Sequence, residues 1–514
     1  MSRTKKFLGG VGFGYANQVL VTVVGLWLTP FLLRHIEPQG YGLWLVGMQF
    51  MAYLMLLDFG VVALLPRETA LMAGRGGDDG GNAREDLAAL VGQAARLTMW
   101  QTPFVALGAV ALWFMIPTEW EPLRRPLGLV LAVFVVMFPL RIFHAVLQGL
   151  QDFAFIGKTQ ICVWLTSNAV MVALVLADYG LLALALGGIV AQVLTAPVLF
   201  YRLRTRFPDA LPGRLPALPW NVARGLLTKG GWISISQISQ AILVGTDIFI
   251  IGKFFGPAAV VPYVCTGKLI SVLANQPQLF ILAAGPGLSE MKVREPLHRV
   301  SQVCVALTHA MLIMSGAIAC LVLTVNRGFI NWWVGAEQYG GFWLTVLILT
   351  NMLLRHWKLT AGYTILFFGY DRHLAITALL DGLVTLAGMA VGGWLFGTLG
   401  VALGGLSGVC LISLPRNLTV LARETGTTVG GLMGSLWPWL WRFLILIVMA
   451  GMVARVWVPE GFVSIAATAV VTSAIYLVVM LPAMLRTSLS TYLPQRLSAL
   501  LMRIFSVPQP SNPA

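Results

Sequence analysis

FWLTVLILTNMLLRHWKLTAGYTILFFG, residues 342–369, is apolar and long enough to cross a bilayer, yet it carries Arg355 and Lys358 near its middle. A span needs about 20 residues. In a helix, Asn351, Arg355, Lys358 and Gly362 fall on one narrow stripe. A charge at that depth costs at least about 2.5–3.5 kcal/mol on insertion scales, and an arginine cannot shed its proton. Two readings account for two cations one turn apart in lipid. Either a carboxylate on another helix pairs with them, or they line a polar cavity that receives an anion.

The whole chain shares this apolar character: 514 residues, 58% hydrophobic, 11% charged, mean hydropathy +0.83. Such a composition excludes a soluble domain and implies an all-α polytopic membrane protein. Cys162, Cys265, Cys304, Cys320 and Cys410 all lie inside apolar stretches without metal-ligand spacing. They read as small core residues, with no metal site and no disulfide framework. The opening MSRTKKF and the apolar run after it carry the charge of a signal peptide but continue too far, so the expectation is an uncleaved first helix.

Apolar runs separated by polar breaks predict fourteen spans: 7–33, 41–65, 87–115, 127–147, 159–177, 181–201, 231–252, 258–284, 300–325, 342–368, 373–394, 398–419, 436–455 and 462–484. With the N-terminus cytoplasmic, 22 lysines and arginines fall on the cytoplasmic side or at the span ends that face it, and 6 on the other side and its margins. That asymmetry orients the chain with both termini inside. The net charge of +14 is therefore a topology signal and not a nucleic-acid footprint.

Six basic residues remain within spans: Arg96, Arg141, Lys268, Arg355, Lys358 and Arg442. Only Asp58, Asp247 and Asp381 lie at comparable depth, so three cations are left over even if every acid pairs. Those cations should line water or meet an anionic ligand. Arg355, Lys358, Arg141, Lys268 and Arg96 are accordingly the candidate anion-binding residues. Asp58 is expected to hold a base such as Arg67 or Arg141, and Asp58, Arg67, Asp247 and Asp381 to serve in structure or in coupling to an ion.

The longest break, 202–230, holds Pro208, Pro212, Pro216 and Pro219 and cannot be one helix. It divides the chain into an N-lobe (1–201), a cytoplasmic linker (202–230), a C-lobe (231–421), a final pair of spans (422–486) and a tail (487–514). An internal repeat supports the two lobes. Pro38 matches Pro257 at an offset of 219, while Gly149 matches Gly369 and Gly180 matches Gly400 at 220. The repeat sets Arg141 on the fourth span opposite Arg355 and Lys358 on the tenth. Parallel repeats of this kind are a transporter architecture. The Gly-rich GRGGDDGGNARED (74–86) lacks GK[ST] and a preceding strand, so a flexible turn is expected there and not a phosphate loop. In the tail, 491–505 has the pattern of an interfacial helix and 506–514 that of a disordered end.

Residues 17–70, with PFLLR (30–34), QGYGLW (39–44), Asp58-Phe-Gly60 and Arg67, resemble the start of bacterial O-antigen and exopolysaccharide repeat-unit flippases. QGLQDF (148–153) and TDIFIIG (246–252) look like the same family, part of the multidrug/oligosaccharidyl-lipid/polysaccharide exporter superfamily. The resemblance implies two pseudo-symmetric six-helix lobes with two further C-terminal helices, placed in the bacterial inner membrane. It implies an undecaprenyl-diphosphate-linked oligosaccharide as cargo, turned from the inner to the outer leaflet, with membrane lipids and the polysaccharide polymerase machinery as neighbours. No cofactor is expected, and coupling to Na⁺ or H⁺ stays open.

Three other readings compete. A membrane glycosyltransferase, polymerase or ligase would need catalytic residues in a sizeable outer loop. Here the longest, about 326–341, has only Arg327 and Glu337 as charges, so no enzyme is expected. A cation-coupled drug exporter would have an acidic or aromatic cavity, against the surplus of buried cations. A lipid-linked peptidoglycan-precursor flippase would share the cationic cavity, though its usual N-terminal signature is not seen.

Overall fold

The computed structural model describes residues 3–75 and 82–485, and among these every regular element is helical. The expected interfacial helix and tail, and residues 76–81 of the Gly-rich turn, lie outside the described residues. By its internal contacts the chain forms two compact units, residues 1–241 with 256–258, and residues 242–255 with 259–514.

The first unit holds α1 (Arg3–His35), α2 (Pro38–Leu54), α3 (Val61–Arg75), α4 (Asn82–Met115), α5 (Glu121–Met137), α6 (Ile142–Gly149), α7 (Phe153–Leu176), α8 (Leu181–Arg206) and most of α9 (Trp220–Leu243). The apolar run 41–65 is not one helix. It breaks into a 3₁₀ turn at Met55–Asp58, followed by Phe59 and Gly60 at φ 48° and 70°. Asp58 organises the break: its Oδ1 accepts the Gly60 N–H at 2.9 Å, and Gln101 Nε2 on α4 donates to its carbonyl at 3.1 Å. A Cβ on Gly60 would lie 2.2 Å from the Gly230 carbonyl oxygen, so both backbone angle and space require glycine.

The proline-rich segment 207–219 is not a free tether. Ala210 and Leu218 are buried, and a Cβ on Gly92 of α4 would lie 2.3 Å from Pro216 Cδ. α8 runs on through Arg206 and α9 begins at Trp220, so the irregular stretch is shorter than the 202–230 read from sequence.

The second unit holds α10 (Thr246–Phe255), α11 (Val260–Arg294), α12 (Leu297–Trp333), α13 (Phe342–Phe367), α14 (Asp371–Gly404), α15 (Leu414–Glu424), α16 (Val429–Ser435), α17 (Trp437–Val456) and α18 (Gly461–Leu485). α12 is its axis, packed by α11, α13, α17 and α18. Some 67% of its apolar window is buried, against 11% for α18, which leaves α18 on the rim. Tyr476 of α18 inserts beside Gly316 and donates to the Ile313 carbonyl at 2.9 Å.

α14 folds back on itself at Phe396 and Gly397, whose backbone leaves the helical region (Gly397 φ 66°). Glycines make the reversal compact. A Cβ on Gly400 would lie 1.8 Å from the Gly392 carbonyl oxygen, and one on Gly404 2.1 Å from that of Gly388. Backbone thus packs on backbone, as small residues allow between membrane helices.

Among the described residues, eleven helices are long and apolar enough to cross a membrane, or up to twelve if the bent pair α9 and α10 counts as one. The fourteen expected from sequence are not reached by this measure. α13 falls outside it because Asn351, Arg355, His356 and Lys358 offset its apolar residues.

Beyond the spans, Lys292 at the end of α11 lies 2.9 Å from Glu424 Oε2 and donates to the Phe368 carbonyl at 3.0 Å. Tyr370 Oη donates to Glu424 Oε1 at 2.6 Å. The hydrogen bond from Lys292, and then that from Tyr370, hold the Glu424 carboxyl below its ordinary value of 4.5. A depressed carboxylate stabilises the fold in full above 4.5, and that contribution disappears as pH falls through the lowered value. Melting temperature followed across this acid range should therefore drop more steeply for the native protein than for Glu424→Gln. Parallel curves would show that the cluster adds nothing.

The α14 reversal gives a second expectation. Gly400→Ala should cost at least about 1–3 kcal/mol, since backbone cannot yield to the added methyl. Gly188→Ala in α8, where nothing lies within 4 Å of the added Cβ, should stay within about 0.5 kcal/mol of native. Thermal unfolding of both purified variants checks the contrast.

Candidate functional site

The stripe read from the sequence of α13 is formed, and it faces α14 and α15. Lys358 Nζ lies 2.7 Å from Asp381 Oδ2 on α14, with side-chain exposures of 17% and 0%. Asp381 also accepts hydrogen bonds from Thr385 Oγ1 at 3.1 Å and from Ser413 Oγ. Ser413 ends a π-helical turn, Val409–Ser413, that leads into α15. Such turns recur at functional sites. Gly408 just before it makes room, since a Cβ there would lie 2.2 Å from both Asp381 Oδ1 and its carbonyl oxygen.

Arg355, one turn away, is held differently. Its Nε donates to Asn351 Oδ1 at 2.9 Å and its Nη2 to the Gly405 carbonyl at 3.2 Å. Both acceptors are neutral. Among the described residues Arg355 has no carboxylate within 4 Å, though Asp381 and Asp247 lie within electrostatic reach. Further along the stripe, Gly362 leaves room for Asn417 Nδ2, 3.5 Å from where a Cβ would stand. Arg416 Nε donates to Thr377 Oγ1 at 3.1 Å. A polar seam thus follows α13, α14 and α15.

Asp247 opens α10. Its Oδ1 accepts the Ile248 N–H at 2.9 Å and its Oδ2 the Tyr263 hydroxyl at 2.7 Å. Lys268, on the same helix as Tyr263, is half-buried, and its ammonium has no hydrogen-bond or ion-pair partner among the described residues.

The remaining candidates lie in the first unit and apart from one another. Arg141 Nη2 is 3.8 Å from Asp58 Oδ2, and its guanidinium stands over the rings of Phe134 and Phe138 at 5.8 and 5.7 Å. Its Nη1 is buried without a partner, as is Gln101 Oε1 nearby on α4. Of the two bases weighed for Asp58, Arg141 is the one beside it. Arg67 is exposed on α3. Arg96 Nη2 reaches the Leu215 carbonyl at 3.4 Å and so borders the proline-rich segment.

The structure therefore sets Arg355 and Lys358 on one stripe of α13, each with its own partners. It adds residues that the sequence reading passed over: Ser413, Thr385, Tyr263 and Gly408. Thr385 carried a readable signal, four residues from Asp381 on one helix face. Ser413 and Tyr263 carried none, because helix register between distant segments sets their contacts.

Residues 109–319 match the model of a family described as polysaccharide biosynthesis protein. A protein of Shigella flexneri named as a putative O-antigen transporter is 23% identical over 287 residues, 54% of this chain and 65% of its own length. Among solved structures, the lipid II flippase MurJ in an inward closed conformation superposes with a TM-score of 0.64, at 11% identity, covering 93% of this chain and all of that one. An inward-facing multidrug-resistance MATE transporter of the MOP superfamily gives 0.61, also at 11% identity, covering 81% of this chain and 95% of that one. In sequence the chain is thus similar to polysaccharide-biosynthesis and O-antigen transport proteins, and it shares the fold of the lipid II flippase and of the MATE transporter.

Proposed function

We propose that this protein turns an undecaprenyl-diphosphate-linked oligosaccharide from the inner to the outer leaflet of the bacterial inner membrane. In this reading it works by alternating access, with lobes over 1–201 and 231–421 rocking and both termini in the cytoplasm. The family match over 109–319 supports a polysaccharide pathway.

The observation that carries the reading is the way Arg355 is held. A cation buried in a membrane unit and bound only to neutral oxygens is a ready receptor for an anion. A phosphate group would offer the guanidinium two parallel hydrogen bonds with both partners ionised, whereas Asn351 and Gly405 each accept one bond through a neutral oxygen. Lys358 is already neutralised by Asp381, so Arg355 leads in binding and Lys358 supports the helix that presents it. Lys268 and Arg141 supply further positive charge along the route, and no bond is made or broken.

The likeness to the lipid II flippase supports a second reading, a peptidoglycan precursor as cargo. A drug exporter is less suited, since the buried cations repel the usual cationic drugs.

The distinguishing experiment is flipping by the purified protein in liposomes, offered in turn the polyprenyl-diphosphate oligosaccharide, lipid II and a cationic dye. Movement of the first alone is expected, and movement of only the second or third replaces the proposal. In the same assay Arg355→Ala should abolish flipping while inserting at native abundance. Native rates from that variant would return the stripe to a purely structural role.

Lys358→Met and Asp381→Leu should each lose abundance, because stranding one member of a buried pair costs about 3–5 kcal/mol. The double variant should recover most of it. Immunoblots of membrane fractions measure this, and a double variant no better than the singles would break the pairing argument.

Export of an anion is also expected to gain from the membrane potential, about 2.3 kcal/mol per elementary charge per 100 mV. Rates in liposomes should rise when the compartment the cargo leaves is made negative with a potassium gradient and valinomycin. Rates indifferent to the sign of the potential, yet responsive to a sodium or proton gradient, would point to antiport.

A further inference from the structure

In the first unit, α4 and α5 do not close against each other along their whole length. Between them lies a groove of about 480 Å³, lined by Ala106, Ala109, Trp113, Gly128, Leu131 and Ala132 among others. That is within the roughly 300–1,000 Å³ of ligand sites. Small residues normally let membrane helices approach closely, but here the exposed Ala132 lines the groove, and Trp113 Nε1 would lie 3.0 Å from a Cβ on Gly128. Pro103, one turn before Ala106, removes an intrahelical hydrogen bond where the groove begins.

The groove ends in a charged mouth at the turn between the two helices. Glu121, Arg125, Gly128, Ala132 and Val135 follow one another on one face of α5 at spacings of four, three, four and three residues. Arg124 stacks on Trp113 at 5.7 Å, and Trp113 Nε1 donates to the Arg124 carbonyl at 3.2 Å. The Arg124 guanidinium uses Nη2 on the Ile116 carbonyl at 3.0 Å, which leaves its Nε buried without a partner. Arg125 is exposed and makes no hydrogen bond or ion pair among the described residues. Glu119 and Glu121 are exposed on the same turn, and neither pairs with either arginine within 4 Å.

Two guanidinium groups and two carboxylates that do not pair with them, beside an apolar slot, match a zwitterionic phospholipid. We propose that the α4–α5 groove binds a phospholipid with an amine–phosphate headgroup. One acyl chain lies along Ala106, Ala109 and Ala132. The guanidinium groups of Arg124 and Arg125 take the phosphate, and Glu121 with Glu119 takes the ammonium. A purely anionic lipid would meet the two carboxylates unpaired, and a neutral one would leave all four groups unused. This site is independent of the cargo and of the stripe on α13.

The test is native mass spectrometry of the full-length protein in detergent. Phosphatidylethanolamine, phosphatidylglycerol and diacylglycerol of matched chains are added in turn. The native protein should keep one phosphatidylethanolamine at collision energies that strip the other two. Arg125→Gln, which removes a charge-assisted contact, should weaken retention about tenfold. Ala132→Phe, which fills the slot, should abolish retention. Equal retention of all three lipids, or preference for phosphatidylglycerol, would overturn the headgroup assignment. Undiminished retention by Ala132→Phe, at an unchanged melting temperature, would overturn the groove itself. If Ala132→Phe misfolds, Arg125→Gln alone decides, because that side chain is exposed and holds nothing in place.

Discussion

A charge buried in a bilayer must be answered by another charge, by water or by a ligand, and the second unit is arranged around that requirement. The Lys358–Asp381 pair is the local answer. Its two members lie on different helices, so the pair also fixes the register of α13 against α14. Asp381 is further saturated by Thr385 and Ser413, which matters because a buried pair is favourable only when its remaining lone pairs are satisfied. The π turn at Val409–Ser413 and the missing side chain of Gly408 are the backbone adjustments that bring those partners within reach.

Arg355 meets the same requirement less completely. It has two hydrogen bonds to neutral groups, and its nearest countercharges lie beyond contact. Two cations one turn apart on one helix thus have different standing: one is locked into the scaffold and the other is held loosely. The first unit repeats the contrast more weakly. Arg141 faces Asp58 across 3.8 Å and keeps one buried nitrogen without a partner.

Much of this was legible in the chain, and the limit has a physical form. The apolar runs, the intramembrane charges and the stripe on α13 are local patterns, and helical geometry preserves them. The reversal of α14 was also readable, since the gap between 394 and 398 coincides with the break at Phe396–Gly397. The break at Met55–Gly60 was not. It depends on Gln101 of another helix meeting the Asp58 carbonyl, and the run 41–65 carries no charge apart from that one acid. Counting acids against bases left three cations over even if every acid pairs, but which acid meets which base follows from helix packing. Arg96 illustrates the loss. It sits within an apolar run, yet its neighbour is the carbonyl of Leu215 in the segment read from its prolines as a linker.

The glycine-lined reversal of α14 bears on how the chain enters the membrane. With Gly392 against Gly400 and Gly388 against Gly404, the two arms share an interface in which backbone meets backbone. Neither arm has that surface covered alone, and the tip between them carries the exposed apolar residues Trp394, Leu395 and Phe396, with no charged residue from Leu383 to Ser413. The translocon would therefore receive the two arms together as one hairpin, and Lys358 on the preceding helix would wait for its countercharge until Asp381 arrived with it. Assembly of the buried pair would then be tied to the order of synthesis, with the cation first in the membrane and the anion delivered by the helix that follows.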